Sequence, residues 1–171
     1  MNPIQKILIL LATAVAFCGH ARGADQKPEA MKKLPESAKF ILAEDPKLGI
    51  DPPKEGRVLV GKNPARIKVV PGLADPQCAS LMSDRDVYLL HRDWKIRAEK
   101  RPEDAQGRRT FDANATFKVT YLPNGDVRFE AKNRPGEFIV VEEDRNLSLS
   151  KPLDGLRLNF RVEAKPVGAG E

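Results

Sequence analysis

The sequence carries the same set of apolar strand patterns three times, and this repetition constrains the fold more than any other feature. The first marker is an aromatic-led triplet that starts at Phe40, Tyr88 and Phe138, so its copies begin 48 and 50 residues apart. Eight or nine residues later comes an alternating apolar pair, which starts at Leu48, Ile96 and Leu147. Each copy closes with a hydrophobic–basic–Val pattern, which starts at Ile67, Phe117 and Phe160. A period of about 40 to 50 residues indicates a repeat architecture.

Three repeats of this length predict an all-β fold, a β-trefoil of three pseudo-repeats over residues 37–166. A propeller blade has a similar period, but three blades are too few to close a ring. In a trefoil, six strands close a barrel, which removes sheet edges, and six more form hairpins at one end. A shuffled β-sandwich is the structural alternative. The residues expected in the shared core are Phe40, Leu48, Ile67, Leu81, Leu89, Ile96, Phe117, Phe129, Ile139, Leu147 and Phe160.

The clearest strand patterns lie in the second half of the chain. They cover Thr116–Tyr121, Val127–Ala131, Phe138–Val141 and Leu156–Val162, which are rich in β-branched and aromatic residues. Turn chemistry separates the strands at Pro71–Gly72, Pro123–Asp126, Arg134–Gly136 and Asp154–Gly155. Helical periodicity is expected only in the first 23 residues and in one turn over Ala30–Lys33.

The first 23 residues have the pattern of a secretory signal peptide. Lys6 supplies the positive charge, Ile7–Phe17 is apolar with one interruption, and the small residues Ala21 and Gly23 favour cleavage before Ala24. The chain is therefore expected to be secreted or periplasmic, with no membrane association after processing. A retained membrane anchor and a lipid on Cys18 are the alternatives. Residues 24–36 then form a linker or N-terminal arm, and residues 167–171 form a tail.

Charge and composition argue against several classes of function. Cleavage removes Lys6 and Arg22 but no acidic residue, so the net charge falls from +5 to +3. The remaining charges are interspersed, whereas nucleic-acid binding favours a basic stripe. No nucleic-acid partner is expected.

Cysteine and histidine are too scarce for a metal site. Cys78 and His91 are the single cysteine and the single histidine that remain after cleavage, so neither a zinc cluster nor an internal disulfide is expected. We expect a monomer with a free, largely buried Cys78 thiol and with no cofactor.

Four motifs follow one another in the middle third of the chain. They are Pro71–Asp75 (PGLAD), Cys78–Leu81 (CASL), Tyr88–Trp94 (YLLHRDW) and Phe111–Phe117 (FDANATF). This succession resembles the arabinofuranose-binding domain of the α-L-arabinofuranosidase B (AbfB) type, whose repeats read PGLAD, CVSF, YLRHRNF and F-x-x-DATF. The third repeat matches more loosely and the first mainly in its strand pattern. The resemblance implies a β-trefoil with one shallow pocket per repeat, suited to the arabinose side chains of arabinoxylan or arabinan.

The same resemblance implies the candidate binding residues. In that family, the histidine of the YLRH strand and the aspartate of DATF approach one pocket, and His91 and Asn114 stand at these positions. Tyr88 is the aromatic ring expected to contact the sugar. Asn114 is instead compatible with a turn residue that binds its own backbone, and Trp94 is expected to pack.

Outside the second repeat, the polar pair is absent. The positions matched to His91 are Ala43 in repeat 1 and Val141 in repeat 3, and those matched to Asn114 are Pro64 and Arg157. The family's partner for Cys78 is also replaced, by Lys118. At most one pocket therefore keeps its polar pair, in altered form.

An enzyme is not expected. Glycoside hydrolysis uses two placed carboxylates, but the acidic runs at Asp84–Asp86 and Glu142–Asp144 have the character of solvated loops. Two functions remain open: an exported module that binds arabinose-containing polysaccharide without catalysis, and a trefoil with decayed sugar sites that serves as a protein-interaction or envelope scaffold.

Signal cleavage gives the first prediction. The exported protein should begin at Ala24, because the small residues Ala21 and Gly23 occupy the positions that signal peptidase reads. Intact-mass spectrometry of the exported chain measures this directly. A retained Met1, or a mass increment from lipid on Cys18, would contradict it.

Overall fold

The structure, a computed structural model, describes residues 33–153 and 157–164, in which twelve strands and one helix are formed. The strands are β1 Ser37–Leu42, β2 Gly49–Ile50, β3 Val60–Gly61, β4 Ile67–Pro71, β5 Ala79–Asp84, β6 Val87–Arg92, β7 Lys95–Lys100, β8 Phe117–Tyr121, β9 Val127–Ala131, β10 Phe138–Val141, β11 Leu147–Ser150 and β12 Phe160–Ala164. The helix, α1, spans Ala105–Asn114.

Six strands close a barrel. Antiparallel pairing runs from β1 to β4, β5, β8, β9 and β12, and β12 returns to β1. The other six strands form three hairpins, β2–β3, β6–β7 and β10–β11. Each repeat thus contributes two barrel strands and one hairpin, and the predicted β-trefoil of three pseudo-repeats is confirmed.

The predicted apolar residues form one core that combines barrel strands and hairpins. All eleven residues expected in the core are buried in one cluster. The ring of Phe129 packs edge-on against Phe40 at 5.2 Å between centroids and lies 6.0 Å from Phe160. Large apolar side chains from different repeats therefore meet inside one core, as the repeat pattern predicts.

The strand registers define which residues the three-fold relation makes equivalent. In each repeat, one residue of the first strand pairs with a valine on the neighbouring barrel strand. The pairs are Phe40 with Val162, Leu81 with Val69, and Phe129 with Val119. Phe40, Leu81 and Phe129 therefore occupy one layer of the barrel.

The predicted equivalence of Phe40, Tyr88 and Phe138 is wrong for the first repeat. The pairs that join each hairpin to its barrel strand are Gly49 with Ile41, Tyr88 with Met82, and Phe138 with Glu130. Gly49, not Phe40, thus corresponds to Tyr88. A Cβ at Gly49 would lie 2.8 Å from Ile41 Cδ1, from the Phe40 carbonyl and from Pro64 Cβ, so an aromatic ring cannot occupy this position.

The sequence patterns also missed helix α1. Its sequence AQGRRTFDAN buries one residue, Phe111, so it carries no apolar stripe at helical spacing. The start signal was present nevertheless, because the Asp104 carboxylate accepts a hydrogen bond from the Gly107 amide at 2.7 Å, as an N-cap residue does.

Most predicted strand limits agree with the structure. Val127–Ala131 and Phe138–Val141 coincide with β9 and β10, and β8 begins one residue later than predicted. The last strand begins at Phe160 and continues to Ala164, so its predicted start at Leu156 is too early. Gly125 and Gly136 adopt positive φ in two of the predicted turns.

Several predictions lie outside the described residues. They concern the signal peptide, the turn at Ala30–Lys33, most of the N-terminal arm, the Asp154–Gly155 turn and the C-terminal tail. Within the described part of the chain, no helix is long and apolar enough to cross a membrane.

Phe117 provides a test of the core. Its side chain is fully buried, so Phe117→Ala should lower the free energy of unfolding by about 3–5 kcal/mol. Denaturant unfolding measures the loss. Leu153→Ala is the control, because Leu153 is 66% exposed, and should change stability by no more than about 0.5 kcal/mol. Equal effects of the two substitutions would contradict the assigned core.

Candidate functional site

His91 lies near the end of β6 and is buried. The strand turns back into β7 through two residues, Asp93 and Trp94, which adopt positive φ angles of 49° and 63°. Such a turn matches the twist of the hairpin strands. The hairpin therefore presents His91 at the barrel end, next to the C-terminus of α1.

A chain of two hydrogen bonds joins His91 to Asn114. His91 Nε2 lies 2.8 Å from Asn133 Oδ1, and Asn133 Nδ2 donates to Asn114 Oδ1 at 2.8 Å. The structure thus brings His91 and Asn114 to one site, with Asn133 between them. Asn114 ends the helix instead of forming the alternative turn that binds its own backbone.

Sequence reasoning missed Asn133. This residue follows β9 in the third repeat, 42 residues from His91, and no motif marks it. Its position is fixed by Lys132, whose backbone amide donates to the Thr116 carbonyl at 3.0 Å and whose ammonium contacts the Asp75 carboxylate at 2.7 Å. The site is consequently shared between repeats 2 and 3.

Tyr88 lies behind the site and contacts helix α1 through Phe111. It is buried, and its ring packs edge-on against Phe111 at 6.1 Å between centroids. Phe111 lines the pocket described below, whereas Tyr88 does not. The bidentate contact of Arg101 with Asp112, at 2.7 and 2.5 Å, also fixes the helix. Tyr88 therefore positions α1, and Asn114 with it.

The β6–β7 hairpin, α1 and the β9–β10 connection line a pocket of about 570 Å³ that is open to solvent. This volume lies within the range of small-molecule sites. The lining residues come from the β6–β7 turn, from α1 and the segment before it, and from the β9–β10 connection; they are His91, Arg92, Asp93, Pro102, Gly107, Thr110, Phe111, Asn114, Asn133 and Arg134.

His91 is neutral at pH 7. Burial lowers its pKa below the usual 6.5, and the Arg134 charge acts in the same direction, against the hydrogen bond to Asn133 and the Glu137 charge. Because the amide oxygen of Asn133 can only accept a hydrogen bond, the single ring proton of neutral His91 lies on Nε2 and is donated to Asn133 Oδ1. Asn114 Oδ1 is the acceptor at the other end, so the Asn114 amide keeps its two N–H donors without a partner among the described residues.

Trp94 does not pack as expected. Its side chain is 52% exposed, and the Arg134 guanidinium lies over its ring, 4.4 Å from the centroid. Trp94 lies in the two-residue turn that joins β6 to β7, and this position leaves its ring exposed. Trp94 therefore flanks the pocket and holds Arg134 at its edge by a cation–π contact.

The other repeats lack the polar chain in the part that the structure describes. His91 pairs with Ile96, and the same pairing in repeat 3 joins Val141 to Leu147, so Val141 is the counterpart, as predicted. In repeat 1, counting from Gly49 in the corrected register places Pro52 at this position. The match with Ala43 is therefore wrong, for the same reason as the match with Phe40.

Cys78 is free and partly buried. It directly precedes β5, and its Sγ lies 3.7 Å from Asp75 Oδ2. Burial, together with the Asp75 charge, raises the pKa of the thiol. Among the described residues, no three His, Cys, Asp or Glu side chains are grouped to hold a metal ion.

Comparison with known proteins identifies a family for most of the folded domain. The family model described as Alpha-L-arabinofuranosidase B (ABFB) domain matches residues 37–151. No curated protein matches the sequence.

Solved structures share the fold at low identity. A GH54 α-L-arabinofuranosidase soaked with a cyclic sulfate inhibitor is 17% identical with a TM-score of 0.64, over 78% of this chain and 32% of that chain. An arabinofuranosidase complexed with arabinofuranosyl-α-1,2-xylobiose gives 17% and 0.64, over 77% and 31%. The designed 3-fold symmetric protein ThreeFoil gives 12% and 0.58, over 77% and 100%. The chain thus spans about a third of the length of the two arabinofuranosidases.

The neutral state of His91 predicts a pH dependence of stability. Its pKa is lower in the folded than in the unfolded chain, so the unfolded chain takes up this proton first and stability falls as the pH drops below about 6.5. The carboxyls of Asp75 and Asp144, whose pKa values lie below the usual 3.8, stay ionised in this range.

Thermal unfolding at about pH 7.5 and about pH 5 measures this effect. His91→Gln is the matched variant, because its amide can donate where Nε2 does but cannot be protonated. We expect a smaller loss of Tm on acidification in His91→Gln than in the unmodified chain. Equal losses would show that His91 does not carry the effect.

Proposed function

Because the chain belongs to the Alpha-L-arabinofuranosidase B (ABFB) domain family, we propose that it is an exported module that binds arabinose side chains of polysaccharides such as arabinoxylan or arabinan. The observation that carries the proposal is the hydrogen-bonded chain from His91 through Asn133 to Asn114, which borders an open pocket. This pocket is the proposed ligand site.

The chemistry of the pocket suits a sugar. Hydroxyl groups both donate and accept hydrogen bonds, and the residues that line the pocket carry amide, hydroxyl and guanidinium groups. Phe111 adds an apolar surface, and its neighbour Tyr88 holds it in place. Asn114 and Asn133 are held by the hydrogen-bonded chain and Arg92 by Glu99, so these side chains lose little freedom on binding.

The proposed activity is binding without catalysis. Glycosidases use two carboxyl groups on either side of the scissile bond, about 5–10 Å apart. Asp93 is the one carboxylate among the residues that line the pocket. The acidic runs at Asp84–Asp86 and Glu142–Asp144 are not among those residues.

The proposed location is outside the cytoplasm, where such polysaccharides occur. The signal-peptide pattern of residues 1–23 supports export to the periplasm or the medium. We propose that the chain acts as a monomer after cleavage, so a single pocket makes the contact.

A single pocket predicts weak binding. Three engaged pockets would give avidity on a decorated polymer, which one pocket cannot. Asn114 stands where the resembling family has an aspartate. Its uncharged amide forms weaker hydrogen bonds with a sugar hydroxyl than a carboxylate does. Binding no tighter than a dissociation constant of about 1 mM is expected for one neutral arabinofuranose unit.

Calorimetric titration with neutral arabinoxylo-oligosaccharides tests the proposal. His91→Ala should abolish binding, because it removes the donor that orients Asn133 and Asn114. Asn114→Asp should strengthen binding of the neutral sugar roughly tenfold, since one carboxylate oxygen can accept from Asn133 and the other from a sugar hydroxyl.

Arg157→Gln is the control for repeat 3. Arg157 is the residue of repeat 3 that corresponds to Asn114, and its guanidinium donates a hydrogen bond to the Glu142 carbonyl at 3.2 Å. The substitution should leave binding unchanged. If His91→Ala binds as tightly as the unmodified chain, the pocket lies elsewhere. If neither the unmodified chain nor Asn114→Asp binds any pentose glycan, the role of a scaffold without a sugar site replaces this proposal.

A further inference from the structure

The groups that the pocket offers to a ligand are mostly hydrogen-bond donors. Asn114 Oδ1 is occupied by Asn133, so the free end of the Asn114 side chain is its NH₂ group. Arg92 and Arg134, which also line the pocket, carry only donors. Asp93 is the one lining carboxylate. The pocket therefore favours a ligand rich in acceptors.

The two arginines differ in how far their charge is already neutralised. Arg92 pairs with the Glu99 carboxylate at 2.7 Å. The carboxylate contact of Arg134, with Glu137, is longer at 3.9 Å, and Glu137 Oε2 has no hydrogen-bond partner among the described residues. The Arg134 guanidinium is thus the less neutralised cation at the pocket edge.

Trp94 holds that guanidinium in place. The Trp94 ring lies under Arg134, and the backbone of Trp94 adopts a φ of 63° in a turn where Asn and Gly are usual. A bulky residue in this conformation is strained, and such strain concentrates at functional sites. A contact with the face of the ring does not use up the N–H groups of the guanidinium, which can therefore form a bidentate contact with a ligand.

We propose that the pocket is specific for an acidic pentose glycan, in which a uronate carboxylate near the arabinose unit binds Arg134 and the Asn114 NH₂ group. A carboxylate is the acceptor that matches a guanidinium fork. The inference rests on the proposed function, which it refines: the ligand class is an arabinose-bearing polysaccharide that also carries uronic acid.

Two probes that differ only at the carboxylate test this specificity. One is an arabinoxylo-oligosaccharide with a glucuronate branch, and the other is the same compound after reduction of its carboxyl group to an alcohol. At low salt, the acidic probe should bind the intact protein about tenfold tighter, because a charge-assisted hydrogen bond replaces a neutral one. The difference should shrink as salt is added.

Three variants locate the effect. Arg134→Gln should remove most of the difference between the probes. Arg161→Gln removes the same charge from an exposed position on β12 and should leave the difference unchanged. Asn114→Asp should invert the order, strengthening the reduced probe and weakening the acidic one, because its second oxygen accepts a hydrogen bond and repels a carboxylate.

The outcomes separate this inference from the proposed function. Equal binding of the two probes by the unmodified chain would overturn the acidic specificity and leave arabinose binding in place. A preference of the same size in Arg134→Gln as in the unmodified chain would also overturn it, and so would loss of the preference in Arg161→Gln. Binding of neither probe would overturn the proposed function, and the inference with it.

Discussion

Closure of the six-stranded barrel is the constraint on which the rest of the molecule depends. Apolar side chains from all three repeats fill its interior, with Phe40, Leu81 and Phe129 in one layer. Burial of this surface is the main stabilising term of the fold. Closing the barrel leaves none of its six strands with a free edge, and it fixes which connections are neighbours around the barrel.

This geometry explains why the site is assembled from distant parts of the chain. The β6–β7 hairpin contributes His91, the segment before β8 contributes Asn114, and the β9–β10 connection contributes Asn133. The last two come together because β8 and β9 are neighbours in the barrel. A loop of one repeat thus completes the pocket of the preceding repeat.

The sequence predicted the fold from the periodicity of buried positions, which is a property of the barrel itself. It placed Phe117 and Phe160 correctly because both barrel positions retain a large ring and a following basic residue. It failed at Phe40, because an aromatic-led triplet occurs on a barrel strand in repeat 1 and on hairpin strands in repeats 2 and 3. Helix α1 was not predicted, because a single buried phenylalanine does not produce an apolar periodicity.

The candidate site was only partly predictable for a related reason. His91 and Asn114 stand within motifs, whereas Asn133 and Arg134 lie in a loop whose sequence contains no repeated feature. Their contribution follows from strand pairing and from contacts such as that of Lys132 with Asp75, which no local pattern encodes. The exposure of Trp94 likewise depends on the turn conformation.

The central claim is that the pocket shared by repeats 2 and 3, between β6, α1 and the β9–β10 connection, is the one that binds glycan. An ¹⁵N–¹H NMR titration of the mature domain with an arabinose-bearing oligosaccharide tests it most directly. We expect shifts of the side-chain NH₂ signals of Asn114 and Asn133 and of the backbone amide of Arg92. Shifts concentrated instead around Val141 and Arg157 would contradict it.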